Sequence, residues 1–270
     1  MTDRDLQLST LPWLLDHHEA KYLDRRRMVD DLALRPGDAV LDQGCGPGLW
    51  TSMFAEKVAP GGTVVGFDIS QELIDYAVTH LTGHPLRNSM QFEVGTFEAT
   101  PFDDAAFDTV FLGNCCCYAA DLPVVLKEAK RVSRERVVSK DFDDGAMIFY
   151  PVGEHLMARM LEAAARAVTE NPPEPPFDTF TARKMHGAFR SVGFQQVTTR
   201  PYVVQMTYPL SAAAKRYLIA NATWLAATAE PYLSEQERQQ WESAFDPVSG
   251  VLDREDFYFC MMETLTVGRV

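Results

Sequence analysis

The chain has 270 residues, of which 46% are hydrophobic and 23% charged, the composition of a globular protein of enzyme size. Its formal net charge is −13 at pH 7, and no run of basic residues exceeds the three arginines 25–27, which disfavours nucleic acid as a partner. No stretch reaches the about 18 apolar residues that a membrane span needs, and the first residues lack the pattern of a signal peptide. We therefore expect a cytoplasmic protein with no nucleic-acid or membrane partner.

The five cysteines are an odd number in a chain without an export signal, so reduced thiols are expected. Three of them are consecutive, at positions 115–117. Successive side chains of a strand point to opposite faces, so these thiols cannot converge on one ion without a sharp bend. The pattern favours small buried residues at a strand end, and we predict no metal site.

Apolar runs and turn signals alternate along the chain as expected for a parallel sheet covered by helices on both faces. In the first half we predict a helix over 12–34, strands at 39–42 and 63–67 separated by a helix to about residue 59, a helix over 71–82, strands at 90–94 and 109–112, a helix over 122–132 and a strand at 137–140. In the second half we predict helices over 155–169 and 181–191, a strand at 196–207, a mostly helical segment over 211–244 and a final strand at 257–267.

The segment 39–51 joins the first predicted strand to a helix through three glycines at alternate positions, Gly44, Gly46 and Gly48. Glycine permits backbone conformations that other residues avoid and lets a ligand lie against the main chain. The spacing does not fit the Gly-x-Gly-x-x-Gly pattern of dinucleotide sites, because that pattern would need a glycine at Leu49. The turn therefore predicts a different nucleoside ligand.

Together with Asp42, this turn resembles the first motif of class I S-adenosylmethionine-dependent methyltransferases, Asp-x-Gly-x-Gly-x-Gly. Gln43 departs from the aliphatic residue usual in that family. The resemblance implies a doubly wound, Rossmann-like α/β fold with seven mostly parallel strands in the order 3-2-1-4-5-7-6, the last antiparallel. Length and composition predict a single domain over 1–270, with an N-terminal helical cap at 1–34. Beyond the fifth strand the chain departs from the minimal domain, and we predict substrate-lid insertions at 146–180 and 211–244.

A carboxylate follows the second predicted strand about 20 residues beyond the glycine turn, where an acidic side chain accepts hydrogen bonds from ribose hydroxyls. Asp68 is this ribose candidate, and Ile69 would pack against adenine. The segment 101–108 resembles the stretch that precedes the fourth strand in the family. Thr96, followed by Phe97, stands where the family usually has an acidic residue beside adenine, so the chemistry of that contact stays open.

The resemblance puts Asn114 beneath the methionyl part of the cofactor, and Tyr22 is similar to aromatic residues that cover its amino-acid end in relatives. Methyl transfer requires mainly alignment of the acceptor, with a general base where a proton must leave. The candidate bases are His18 in the N-terminal helix, Tyr118 after the fourth strand and Asp141 after the fifth. His17 and His155 are further candidates, and no single choice follows from the sequence.

The leading hypothesis is a methyltransferase that moves the methyl group of S-adenosylmethionine to an O, N or C atom of a small-molecule acceptor and releases S-adenosylhomocysteine. Quinone-pathway and natural-product enzymes belong to the same broad class. The alternative is a methyltransferase-fold enzyme that binds the same cofactor but catalyses a cyclisation or an elimination, since fold does not determine chemistry. A non-catalytic binding protein is less favoured because the glycines and Asp68 are all present. A homodimer is left open.

Overall fold

A computed structural model describes residues 8–270, with seven strands in one sheet. The strands are β1 (Ala39–Gln43), β2 (Thr63–Asp68), β3 (Met90–Val94), β4 (Phe107–Gly113), β5 (Ser133–Tyr150), β6 (Gln195–Thr207) and β7 (Tyr258–Arg269). Their order is β3-β2-β1-β4-β5-β7-β6. The predicted fold class, strand order and antiparallel end of the sheet are confirmed.

Nine helices accompany these strands in the described part of the chain. They are α1 (Leu11–Ala20), α2 (Tyr22–Asp31), α3 (Leu49–Val58), α4 (Gln71–His80), α5 (Leu122–Val132), α6 (Glu154–Glu170), α7 (Thr181–Ser191), α8 (Ala212–Ala229) and α9 (Glu235–Ala244). Within residues 8–270, no helix combines the length and the hydrophobicity that crossing a membrane would require.

The predicted single helix over 12–34 is wrong in one respect, because the chain forms two helices there. The break lies at Lys21, whose backbone leaves the helical conformation with φ −113° and ψ 15°. The Lys21 side chain is 2% exposed, and its ammonium lies 3.1 Å from the Met261 sulfur. Burial of this side chain against a strand distant in sequence accompanies the break.

The chain divides into two compact units. The first unit contains the described residues up to Tyr22 together with 143–180 and 203–262, and the second contains 23–142, 181–202 and 263–270. The predicted insertions at 146–180 and 211–244 both fall in the first unit. The predicted cap at 1–34 is shared between the two units over residues 8–34, and its residues 1–7 lie outside the described part of the chain. The assignment of these segments to a substrate lid stays a prediction.

Strand β5 is much longer than predicted, since it continues from Ser133 to Tyr150 rather than ending near residue 140. The polar segment 141–145 has the composition of a loop. However, Asp141 and Asp143 are 0% and 1% exposed, and Met147 and Phe149 continue the same buried face. Burial of alternate residues continues the strand to Tyr150. The insertion predicted to begin at residue 146 therefore begins only after residue 150.

The core of the second unit forms where α5 packs beside the parallel strands. Val125, Leu126, Ala129 and Val132 of α5 are 0% exposed and join Leu41 in one cluster with residues of β2 and β4. The spacing of these α5 residues is that of one helical face. Each fully buried aliphatic side chain contributes about 1.5–3 kcal/mol of transfer free energy.

Strands β1 to β5 are paired in parallel, which brings their carboxyl ends to one edge of the sheet. Asp42 is in register with Gly66 of β2 and with Phe111 of β4. Gly113 at the end of β4 is in register with Lys140 of β5. In open parallel sheets this edge is where ligands bind.

Candidate functional site

The glycine turn between β1 and α3 uses the backbone freedom of all three of its glycines. Gly44, Gly46 and Gly48 have φ values of +80°, +54° and +75°. A Cβ atom on Gly44 would lie 2.7 Å from the Cβ of Cys115, and one on Gly48 would lie 2.9 Å from the Phe92 ring. The turn therefore needs glycine both for its conformation and for the space around it.

Asp68 connects the end of β2 to the glycine turn. Its Oδ2 accepts a hydrogen bond from the Gly46 backbone N–H at 2.7 Å, and its Oδ1 accepts one from the Ser70 N–H at 2.9 Å. Each carboxylate oxygen has a second acceptor site, so both can still accept from ribose hydroxyls. Partial burial raises the pKa of Asp68, while these backbone bonds oppose that rise. The next residue, Ile69, leaves 69% of its surface exposed.

Asp42 lies at the end of β1 with 1% exposure. Its Oδ2 accepts a hydrogen bond from the Thr51 hydroxyl at 2.6 Å, whereas its Oδ1 has no hydrogen-bond partner among residues 8–270. Burial raises the pKa of this carboxyl to about 7, with the Asp68 charge adding to the rise and Arg25 opposing it. A buried acceptor without a partner is costly, so this atom suits a ligand donor.

Because the folded-state pKa of Asp42 lies above its ordinary value, the folded protein holds a proton that the unfolded chain releases. The stability cost is absent below about pH 4 and grows as the pH rises towards 7. We therefore expect Asp42→Asn to raise the free energy of unfolding more at pH 8 than at pH 5. The difference between pH 5 and pH 8 is about 3 kcal/mol, at about 1.4 kcal/mol per pH unit over the two units between pH 5 and the folded-state pKa of about 7. Urea unfolding of the ligand-free protein at both pH values measures it.

The exposed Asp103→Asn variant is the matched control for this pH experiment, because it removes a carboxylate outside the site. Its change in unfolding free energy should be small at both pH values. An equal effect of Asp42→Asn at pH 5 and pH 8 would contradict the raised pKa of Asp42.

The loop after β3 is held beside the glycine turn. The Gly95 N–H donates to the Asp68 carbonyl at 3.0 Å, and the Gln43 side-chain amide donates to the Phe97 carbonyl at 2.9 Å. Thr96, which lies between Gly95 and Phe97, is exposed, and Phe97 is half-buried. Gln43 thus fastens this loop to β1, a role that its sequence neighbours do not reveal. Its own Oε1 is buried without a partner among the described residues.

Asn114 and Tyr118 follow β4 at the same edge. Asn114 has φ +55°, and its backbone N–H donates to the Lys140 carbonyl at 2.7 Å. Tyr118 ends a short 3-10 turn and is partly exposed. Both residues are accessible to a ligand at the edge of the second unit.

Asp141 differs from Tyr118 because it is fully buried. It accepts a short hydrogen bond from the Ser139 hydroxyl within β5. A general base must reach a substrate proton, and an interior carboxyl in the middle of a strand is poorly placed for that. The structure therefore favours a structural role for Asp141, and its catalytic role stays an untested prediction.

The three consecutive thiols are buried and contact three different partners. Cys115 Sγ donates to the Gln43 carbonyl at 3.2 Å, Cys117 Sγ to the Asn114 carbonyl at 3.2 Å, and Cys116 Sγ lies 3.7 Å from the Ser139 hydroxyl. No group of three metal-ligating side chains within residues 8–270 is arranged to hold an ion. The thiols pack the space beneath the glycine turn and the end of β4.

His18 and Tyr22 belong to the first unit, where their rings contact each other edge to face with centroids 5.6 Å apart. Their predicted roles at the acceptor and the cofactor stay predictions. The same unit contains a cluster that sequence reasoning did not assemble, in which His17 stacks on Tyr217 at 5.1 Å and Lys21 lies 4.8 Å from that ring. Nearby, burial raises the pKa of Asp144 to about 7.

Arg25 is a residue of the site that sequence reasoning missed. It is 4% exposed, and its guanidinium lies 5.0 Å from the centre of the Trp50 ring in α3. Its charge lowers the pKa of Asp42. In the sequence it belongs to a run of three arginines, which is typical of a solvated surface, so only its burial distinguishes it from its neighbours.

Comparison with known proteins agrees with this geometry. A family model described as a methyltransferase domain matches residues 40–136. The demethylmenaquinone methyltransferase of Symbiobacterium thermophilum is 35% identical over 107 residues, which are 40% of this chain and 43% of that protein. The YcgJ protein of Bacillus subtilis has a similar fold, with a TM-score of 0.59 at 17% identity over 94% of this chain and 98% of that one.

The 4+2 cyclase SpnF also shares the fold, with a TM-score of 0.52 at 15% identity over 90% of this chain and 80% of that one. Residues 40–136 thus match a methyltransferase domain, and the resemblance of this segment to class I S-adenosylmethionine-dependent methyltransferases is confirmed. The matched segments span less than half the length of the curated relatives, between 36% and 44% for the first three.

Proposed function

We propose that the protein binds S-adenosylmethionine at the carboxyl edge of β1, β2 and β4 and transfers its methyl group to a small-molecule acceptor. The observation that carries this proposal is the glycine turn held by Asp68, beside a buried Asp42 oxygen that has no partner within residues 8–270. Gly44, Gly46 and Gly48 would leave room for the nucleoside, Asp68 would accept from the ribose hydroxyls, and Asp42 would accept from the amino group.

The adenine would lie between Ile69 and the loop at Thr96 and Phe97. The exposed Ile69 side chain supports this placement, because an apolar ring that covers it would remove its surface from water. When bound, the cofactor supplies an activated methyl group on a sulfonium ion. The residues named here bind and orient it and shield it from water, since aligning the acceptor with that methyl group is the main requirement of the reaction.

The acceptor is proposed to be small and largely apolar. The net charge of −13 disfavours anionic acceptors. The first unit contains an open groove with about 600 Å³ of space beside β5 and α6, lined by Ala146, Ile148, Tyr150, Met157 and Leu161 among others. Its lining is mostly apolar, which suits an apolar acceptor. Asp144 joins His18 and Tyr118 as a candidate base, because its pKa of about 7 suits proton transfer near neutral pH.

The test has two stages. Calorimetry should show that S-adenosylmethionine and S-adenosylhomocysteine both bind, whereas NAD does not. Incubation with apolar and charged acceptors should then release S-adenosylhomocysteine preferentially with the apolar ones. A protein that binds neither nucleoside contradicts the proposal. Cofactor binding without turnover for any acceptor favours the alternative, a cyclisation or elimination that uses the cofactor without transferring its methyl group.

A cytoplasmic location and a homodimer stay predictions beside this proposal. They concern the whole protein rather than the site. Size-exclusion chromatography with light scattering would measure the oligomeric state directly.

A further inference from the structure

Lys140 of β5 and Glu263 of β7 form an ion pair in the interior of the second unit. The Lys140 ammonium lies 2.7 Å from Glu263 Oε2, and both side chains are 0% exposed. Removing two charges from water is costly, and an apolar pair of similar volume is often at least as stable. Stability alone therefore does not account for this pair.

The same ammonium reaches Asn114, at the end of β4. Lys140 Nζ donates to Asn114 Oδ1 at 3.1 Å, and the Lys140 backbone carbonyl accepts from the Asn114 N–H at 2.7 Å. The Cys117 thiol donates to the Asn114 carbonyl at 3.2 Å. These contacts hold Asn114 in the left-handed conformation, which asparagine tolerates better than most residues.

The contact with Lys140 also determines which way the Asn114 amide points. An ammonium has donors and no acceptor, so it must face the oxygen of the amide rather than the nitrogen. The Asn114 Nδ2 then points away from Lys140, and no acceptor for it lies among residues 8–270. Asn114 is partly exposed, so Nδ2 can donate to a ligand at the sheet edge.

We propose that the Lys140–Glu263 pair positions Asn114 so that its Nδ2 donates to the carboxylate of the cofactor's amino-acid arm. This inference rests on the proposed function. The strand order β2-β1-β4 separates Asp68 from Asn114 by two strand spacings, about 10 Å. The arm of the nucleoside can extend over this distance when the ribose is at Asp68. Asn114 is then a binding residue, and Lys140 and Glu263 are positioning residues.

The experiment compares two ligands, S-adenosylhomocysteine and 5′-methylthioadenosine, which lacks the amino-acid arm. Asn114→Asp keeps an oxygen towards Lys140 but replaces the donor by an acceptor. The double variant Lys140→Met/Glu263→Leu replaces the whole pair by apolar side chains and releases the amide. Calorimetry should show that Asn114→Asp weakens S-adenosylhomocysteine binding about 10- to 100-fold, the effect of losing a hydrogen bond to a charged group. The double variant should also bind S-adenosylhomocysteine more weakly than the wild type does. The affinity for 5′-methylthioadenosine should be the same in all forms.

A double variant that folds and binds S-adenosylhomocysteine like the wild type would overturn the positioning role. Equal weakening of both ligands would place the effect outside the arm and would also overturn it. If the double variant does not fold, Lys140→Met/Glu263→Gln keeps the shape of the Glu263 side chain, removes the ammonium that faces the Asn114 oxygen and gives the same comparison. Failure of the wild-type protein to bind either ligand would instead refute the proposed function, so the two failures are distinguishable.

Discussion

Replacing Gly44 by alanine is expected to abolish measurable binding of S-adenosylhomocysteine and to destabilise the fold by about 2–5 kcal/mol. A left-handed conformation costs a residue with a Cβ about 1–2 kcal/mol, and overpacking adds about 1–3 kcal/mol. The new Cβ would lie 2.7 Å from the Cys115 Cβ, so the turn or the end of β4 must move. Calorimetry measures the binding, and urea unfolding measures the stability.

Gly61→Ala is the matched control for this experiment. Gly61 has φ +86°, close to that of Gly44, but a Cβ there would meet no atom within 4 Å. It lies in the turn before β2, so its variant should lose only the conformational cost of about 1–2 kcal/mol and keep its affinity. Full affinity in Gly44→Ala would show that the turn does not hold the ligand.

Replacing Asp68 by alanine is expected to weaken S-adenosylhomocysteine binding by about 1.5–3 kcal/mol, the range for hydrogen bonds to a charged group. The variant loses the proposed ribose acceptors, and it also loses the anchor of the Gly46 N–H. The two contributions are separated by a thermodynamic cycle that compares the wild type and Asp68→Ala, each titrated with S-adenosylhomocysteine and with an analogue that lacks both ribose hydroxyls.

If Asp68 contacts the ribose, the analogue binds the wild type weakly and loses little more in Asp68→Ala. An equal loss for S-adenosylhomocysteine and the analogue would show that Asp68 acts only by holding the turn. Unaltered affinity of Asp68→Ala for S-adenosylhomocysteine would remove the ribose assignment altogether.

Local patterns were sufficient to predict the first half of the fold from β1 onwards. Strands β1 to β4 and the helices between them follow from apolar runs bounded by glycine and proline turns, with boundaries within two residues of those observed. The glycine turn was predictable because its residues need positive φ angles that glycine adopts without strain. The carboxylates Asp42 and Asp68 followed from their place directly at strand ends.

Strand β5 was less predictable because burial there depends on partners distant in sequence, whereas the elements predicted at 155–169, 181–191, 196–207 and 257–267 match α6, α7, β6 and β7 within two residues. The segment 141–145 reads as a polar loop, yet β5 continues through it because Asp141 and Asp143 are buried by the surrounding chain. The helix break at Lys21 has the same cause, since its ammonium contacts Met261. Hydrophobic periodicity in a sequence predicts the buried face of a helix or strand only where the polar residues are exposed to solvent.

The sequence by itself determined the class of fold, the position of the glycine turn and the two carboxylates beside it, because these depend on backbone conformations and strand ends that neighbouring residues specify. Only the tertiary structure decided that Arg25 is buried beside Trp50, that Gln43 holds the loop at Phe97, and that Lys140 meets Glu263 and Asn114. Charged and amide side chains look like surface residues in a sequence. Their burial follows from strand pairing and helix packing, which bring together groups that no local pattern connects.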